Sequence, residues 1–182
     1  VEHAHKLTRK DFGYKKETMR ELYRRFGINR AVSDWFFGQD VVHDLQLEFG
    51  ERFLGAQGSG SLLKPIKYRE DEQIISYNKD LMVEEVFDMM KKGKIRFPWK
   101  SYEYIEWLID HCTSMDAKIR ISGGQPIKTY TKGSVPNDGL MALMYAYMAY
   151  KFDLTKGFSI RPGMNTQSQY PIGTLARAPK IR

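Results

Sequence analysis

The strongest constraint on the fold lies in the first half of the chain, where apolar residues switch repeatedly between helical spacing and short continuous runs. Met19, Leu22, Tyr23 and Phe26 make the stripe of an amphipathic helix, and Gly27 ends it. Thr8 is the expected N-cap, with Asp11 supplying negative charge to the first turn. Residues 28–33, with the apolar pair Ala31 and Val32, predict a short strand. A helix over 40–49 follows, with Val41, Val42, Leu45 and Phe49 facing inward and Gly50 closing it. Arg52, Phe53 and Leu54 predict another brief strand, and residues 1–7 read as the end of one. Strands and helices that alternate in this way predict an α/β fold with a partly parallel sheet.

Residues 55–61 are rich in Gly and Ser and predict a flexible loop. They lack the GxxxxGK[ST] pattern that cradles nucleotide phosphates. Beyond them, residues 79–92 are amphipathic, with Leu81, Val83, Val86, Phe87 and Met90 as the expected buried set. Gly93 and Pro98 bracket a strand-like stretch over 94–97, and residues 102–112 predict a helix. Residues 119–121 and 128–130 are expected to pair as a hairpin around Gly123-Gly124. A strongly apolar helix over 138–152 closes the ordered part.

A chain of 182 residues corresponds to about one domain and buries a proper core. We divide it into a domain over 1–154 and a basic tail over 155–182. The tail carries Lys156, Arg161, Arg177, Lys180 and Arg182, no acid, and Gly and Pro at intervals. It reads either as an extended segment lying on DNA or a protein partner, or as a solvated terminus. The first residue is Val1, already inside a strand-like stretch, so the chain is expected to be a piece of a longer protein. No apolar run is long enough to predict a membrane span, and no signal peptide is expected. The single cysteine, Cys112, excludes an internal disulfide and a multi-cysteine zinc site, and its place in a helical stripe predicts a buried small hydrophobe. A net charge of +7 raises the expectation of a polyanionic partner.

Two acids stand out by position. Asp34 follows a strand and precedes Trp35, Phe36, Phe37 and Gly38. Open α/β sheets place ligands at the C-terminal ends of their strands, so a carboxylate there can reach a metal while aromatics exclude water on the core side. It can equally cap the turn before the next helix. Asp138 follows Pro136 and Asn137 and opens the last helix, either as a simple cap or as a metal ligand in the favourable field of the helix N-terminus. Behind it Gly139, Ala142, Ala146 and Ala149 form a small-residue face, expected to let the helix lie close against the sheet. Two carboxylates on different elements can hold divalent cations that neutralise a phosphodiester, activate a water and stabilise the leaving oxygen. Oxygen ligands of this kind suit Mg2+ or Mn2+, and two ions are expected. A complete two-metal site usually takes three or more acids. Asp116 is a weaker extra candidate, and Asp40 and Asp44 read as solvated.

The histidines show no zinc pattern: His3 and His5 alternate on a strand, and His43 and His111 are isolated. Basic residues near aromatics form two groups. One comprises Lys64, Lys67, Tyr68 and Arg69, and the other Lys128, Tyr130 and Lys132, beside the expected hairpin. Lys67, Arg69, Lys128 and Lys132 are the candidates for guiding a DNA backbone, against the alternative of ordinary solvated surface.

The run Arg30-Ala-Val-Ser-Asp34-Trp-Phe-Phe-Gly38 resembles the strand-Asp-aromatic-Gly segment of phage terminase large subunits. Lys91-Lys-Gly-Lys-Ile-Arg-Phe-Pro98 is similar to their passage of short helix, basic turn, strand and Pro. Pro136-Asn-Asp138-Gly-Leu-Met-Ala-Leu-Met-Tyr-Ala146 resembles their closing motif of an acid followed by an Ala-rich helix. The three occur in the family's order and cover about residues 1–152. The resemblance implies a ribonuclease H-like mixed sheet flanked by helices, with the first strand or strands missing from this fragment. It implies a metal-dependent endonuclease that cuts concatemeric double-stranded DNA during viral genome packaging in the host cytoplasm. Asp34 would be the second catalytic acid and Asp138 the third. The implied partners are double-stranded DNA, an ATPase domain upstream in the same polypeptide, the viral portal and the small terminase subunit, with no membrane. Two departures stand beside it. The first acid would have to precede Val1, and Asn137 occupies the first place of what is often an acid pair. The first departure implies that this fragment is impaired or inactive, and a lone Asp138 would leave one metal weakly held. The alternatives are a non-catalytic module that binds DNA and the portal, and another ribonuclease H-like nuclease such as a transposase, integrase or junction resolvase.

Overall fold

The computed structural model describes residues 4, 7, 11–36, 38–97, 102–122 and 124–155. Helix α1 (Phe12–Phe26) starts where the Asp11 side chain accepts a hydrogen bond from the Tyr14 N–H at 2.7 Å. Asp11 is therefore the cap itself, whereas the expected cap, Thr8, lies outside the described residues. The helix stops at Gly27, whose φ of 57° is the left-handed conformation that glycine adopts most cheaply. Strand β1 (Ala31–Asp34), helix α2 (Gln39–Phe49), a single 3-10 turn (Gly50–Arg52) and strand β2 (Phe53–Gly58) follow. Then come β3 (Ile66–Arg69), β4 (Ile74–Tyr77), α3 (Lys79–Lys91), α4 (Tyr102–Thr113), the strands β5 (Met115–Ser122) and β6 (Gln125–Lys132), and α5 (Asp138–Thr155).

The main sheet has the order β1-β2-β4-β3. The pairs β1/β2 and β2/β4 are parallel, and β3 runs antiparallel to β4. The expected α/β fold with a mixed sheet flanked by helices is therefore present. Alternation along β2 shows how the layers are made, because successive side chains leave a strand on opposite faces. Phe53 joins Tyr23, Val41, Val42 and Leu45 in a small core under α1 and α2. Its neighbour Leu54 joins Ile75, Val83, Leu108, Met144 and Met148 in the larger core under α3, α4 and α5.

Several local expectations are corrected. Residues 94–97 do not form a strand. The N–H groups of Lys94 and Ile95 both donate to the carbonyl of Met89, so the chain wraps the C-terminus of α3 after Gly93. Pro98 lies outside the described residues. The Gly-rich loop is shorter than expected, because Gly55 to Gly58 belong to β2 and close packing makes use of the small residue. A Cβ on Gly55 would sit 2.7 Å from Trp35 Cε3. Strands β3 and β4 were not anticipated. In α3 the expected Val83 and Val86 are fully buried, but the third fully buried side chain is Met82, while Leu81 is exposed. Finally, the small-residue face of α5 is only half covered. Gly139 and Ala149 are buried, Ala142 and Ala146 are exposed, and the large side chains of the core face are Leu140, Met144, Met148 and Phe152. Of that small-residue set Gly139 does allow a close approach, but to α4. A Cβ there would meet Leu108 at 2.8 Å and His111 at 3.0 Å. Within residues 1–7 only Ala4 and Leu7 are described. His3, His5 and the tail beyond Thr155 lie outside the described residues.

Candidate active site at the end of the first strand

Helix α5 lies along β1 in the opposite direction. At the start of the strand Arg30 pairs with Asp153, near the end of the helix, and its guanidinium lies 4.6 Å from the Phe152 ring centre. At the far end of the strand Asp34 meets Tyr145, eight positions back along the helix. The two spans agree: four residues of strand and eight of helix each cover roughly 12–13 Å. This packing fixes where the acids of the two elements can go.

Asp34 is the last residue of β1 and is half-buried. Its Oδ1 accepts from the Phe36 N–H at 2.9 Å, so it does cap the turn that follows the strand. Its Oδ2 accepts from the Tyr145 hydroxyl at 2.9 Å. Tyr145 is buried on α5, and its hydroxyl lies 3.2 Å from that of Tyr77, the last residue of β4. The three groups form a short chain, Tyr77, Tyr145, Asp34, across the sheet and onto the helix. Burial above all pushes the ionisation of Tyr145 far up, and the neighbouring Tyr77 and the charge of Asp34 add to it. Burial likewise raises Tyr77. Both phenols therefore stay neutral donors. A carboxylate offers about four lone-pair positions, and these two hydrogen bonds use two of them. Asp34 is held in one orientation and retains the capacity to ligate a cation, the usual relation of a metal-binding carboxylate to the groups that support it. The turn cap and the metal ligand are not exclusive roles.

Asp138 is exposed in the first turn of α5. The cap on that helix comes from elsewhere. The Gly139 N–H donates to Nδ1 of His111, a buried residue of α4, at 3.0 Å. Among the described residues the Asp138 carboxylate accepts no hydrogen bond of its own. Seven residues separate Asp138 from Tyr145, so the two share nearly one helix face about 10 Å apart along the axis. Asp138 thus lies about 10 Å further along α5 than the residue that meets Asp34, past the end of β1, and among the described residues no contact joins the two acids. Among the described residues no group of three His, Cys, Asp or Glu comes together to hold a metal ion. Asp116 is exposed at the foot of the β5–β6 hairpin, beside Gly133 and near Asp110. Asp40 and Asp44 are exposed as expected, and Asp44 pairs with Lys16.

The aromatics after Asp34 divide. Trp35 packs into the smaller core, Phe36 is exposed, and Phe37 lies outside the described residues. The four basic candidates do not form one patch. Ile66 and Tyr68 pack on the larger core, so Lys67 and Arg69 point to the opposite face of the sheet from α5. Arg69 is engaged by Glu72 and Gln57, whereas Lys67 is exposed. Lys128 is paired with Glu84 at 2.7 Å, and Lys132 is exposed at the hairpin foot. The residues that sequence reasoning missed are Tyr77, Tyr145 and His111. No family model, curated protein or solved structure matches the chain.

Proposed function

We propose that this chain is the metal-dependent endonuclease module of a viral DNA-packaging terminase, with a ribonuclease H-like sheet and with Asp34 and Asp138 as ligands for Mg2+ or Mn2+. The observation that carries the reading is the Asp34 carboxylate at the C-terminal end of a parallel strand, oriented by Tyr145 of the helix that Asp138 opens. The donors are oxygen, the set that suits hard divalent cations. Bound there, the ions would supply charge neutralisation of the phosphodiester and an activated water. The protein's own part is to fix Asp34 through the neutral phenols and to present Asp138 on a rigid helix. Among the described residues β1 is an edge strand, paired only with β2. The wider assembly, with an upstream ATPase, portal and small subunit, rests on the three motifs alone.

The test is cleavage of plasmid DNA by the protein, with Mn2+ or Mg2+ and with EDTA as control. Metal-dependent cutting that is lost in Asp34→Ala and in Asp138→Ala, both folded, supports the assignment. Cutting that survives both substitutions refutes it. Salt-sensitive DNA binding with no cutting at all points to the non-catalytic module instead.

A further inference from the structure

We propose that the β5–β6 hairpin is a duplex-DNA-binding ribbon that enters a groove and leads the backbone to the Asp138 end of α5. This rests on the reading of the chain as a protein that acts on DNA. Every residue from Asp116 to Ile121 is exposed, on both faces of the strand, and so are Pro126 to Lys128 opposite. The register sets Ile119 against Lys128 and Arg120 against Ile127. Ile119 is 75% exposed, Ile121 80% and Ile127 46%. Ile119 and Ile121 share one face with Lys128, whereas Ile127 lies on the other with Lys118 and Arg120, so each face mixes apolar and cationic groups. Two strands standing free in water are marginal in stability, and exposed isoleucines on both faces of such a ribbon mark a surface that is normally covered. The ribbon is held at its base by Tyr130. The Tyr130 N–H donates to Asp80 at 2.8 Å, its hydroxyl donates to Glu84, and its ring lies 5.6 Å from that of Phe87. Nothing comparable supports the distal half among the described residues.

Charge identifies the occupant. The hairpin carries Lys118, Arg120, Lys128 and Lys132 against the single acid Asp116. Lys118, Arg120 and Lys132 make no ion pair among the described residues. A partner must then be a polyanion that also offers apolar contacts. Duplex DNA does both, with phosphates along the groove walls and sugars and thymine methyls between them. A major groove about 12 Å wide admits a two-stranded β-ribbon, and strands of eight residues reach about 27 Å. The hairpin ends at Lys132, and the short connection through Gly133 and Pro136 leads directly to Asp138. DNA held on the ribbon is thereby brought to the site end of α5.

The experiment measures binding of a labelled duplex of about two helical turns by fluorescence anisotropy, in EDTA so that cutting plays no part. The unaltered protein is compared with two triple variants, Lys118→Gln/Arg120→Gln/Lys132→Gln and Ile119→Ser/Ile121→Ser/Ile127→Ser. The cation variant should bind at least tenfold more weakly and lose about two to three units of the slope of log K against log salt. The isoleucine variant should lose about tenfold with the slope unchanged, and single-stranded DNA of the same length should bind more weakly than duplex. Hydrogen exchange on the unaltered protein gives a second readout, in which duplex must protect the distal hairpin amides. Duplex affinity within twofold of the unaltered protein in both variants overturns the proposal, as does loss of self-association rather than DNA binding in the isoleucine variant. An unaltered protein that cuts DNA but binds it independently of the hairpin removes this inference alone. One that neither binds nor cuts DNA removes the nuclease reading as well.

Discussion

The hydroxyl of Tyr145 donates to Oδ2 of Asp34 at 2.9 Å across 111 positions of sequence, a polar link between the end of β1 and the buried face of α5. Removing it in Tyr145→Phe leaves the carboxylate with the turn N–H as its remaining support and strands the Tyr77 hydroxyl in the core. A stability loss of about 1–3 kcal/mol is expected from the unpaired buried group. Loss of a supporting donor also weakens a metal-ligand carboxylate, by about tenfold or more. Manganese binding followed by electron paramagnetic resonance, beside a thermal melt, separates the two effects. A melt that shifts with unchanged metal affinity would confine Tyr145 to the fold.

Gly139 marks the crossing of α4 and α5. Its missing side chain leaves room for Leu108, His111 and Trp107, and its N–H is the donor to His111 Nδ1. Gly139→Ala places a methyl 2.8 Å from Leu108 Cδ1 and 3.0 Å from His111 Cβ, so the α4 side chains packed there must shift. Overpacking of this kind costs about 1–3 kcal/mol, seen as a fall of several degrees in Tm. Asp138 rides on the same turn, so on the proposed metal-ligand role of Asp138 metal affinity should fall with stability. An unchanged Tm would show that these side chains shift freely at this point.

How far the sequence disclosed these features depends on the range of the interaction. Helices α1, α2 and α5 announced themselves because a helix writes its buried face within a few turns, and the β5–β6 hairpin did so through its glycine pair and flanking apolar residues. Strand β4 did not. Ile74 and Ile75 are buried on opposite faces between two neighbouring strands, and four residues are too few for a period. The small residues of α5 misled for a related reason. A stripe at spacings of three and four says that two elements can approach closely, but only the fold decides which side is covered, and Leu140, Met144 and Met148 won the core through their larger apolar area. Asp34 was legible from its place after a strand. Tyr77 and Tyr145, which orient it, were not, since nothing local ties a tyrosine in an apolar helix to a carboxylate on a distant strand.

Cys112 lies in the larger core, and burial pushes its thiol up to about 11. Alkylation or disulfide exchange at pH 8 should therefore be slow in the native protein and fast in denaturant, as a thiol-reactive dye will report. The sign of the pH effect on stability follows. Between the ordinary thiol value and about 11 the unfolded chain has released a proton that the folded chain retains. Stability from this group therefore falls as pH rises through that window. Cys112→Ala should flatten the alkaline limb of a stability profile, at the cost of a small cavity.

Glu84 on α3 fastens the base of the hairpin. Its carboxylate pairs with Lys128 at 2.7 Å and accepts from the Tyr130 hydroxyl, and these bonds, Lys128 first, hold its ionisation below the usual glutamate value. A lowered carboxylate stabilises the folded form fully above its unfolded value and loses that contribution as pH falls through the folded one. The group is largely solvated, so the effect on global stability is small, and the sensitive reporter is local. Glu84→Gln should speed exchange of the β5 and β6 amides at neutral pH, while the amides of β2 and β4 stay unchanged. The unaltered protein should show the same loosening on acidification, because protonated Glu84 no longer holds Lys128. Equal exchange in both proteins at every pH would mean that the Asp80 contact and the Tyr130 ring anchor the hairpin without Glu84.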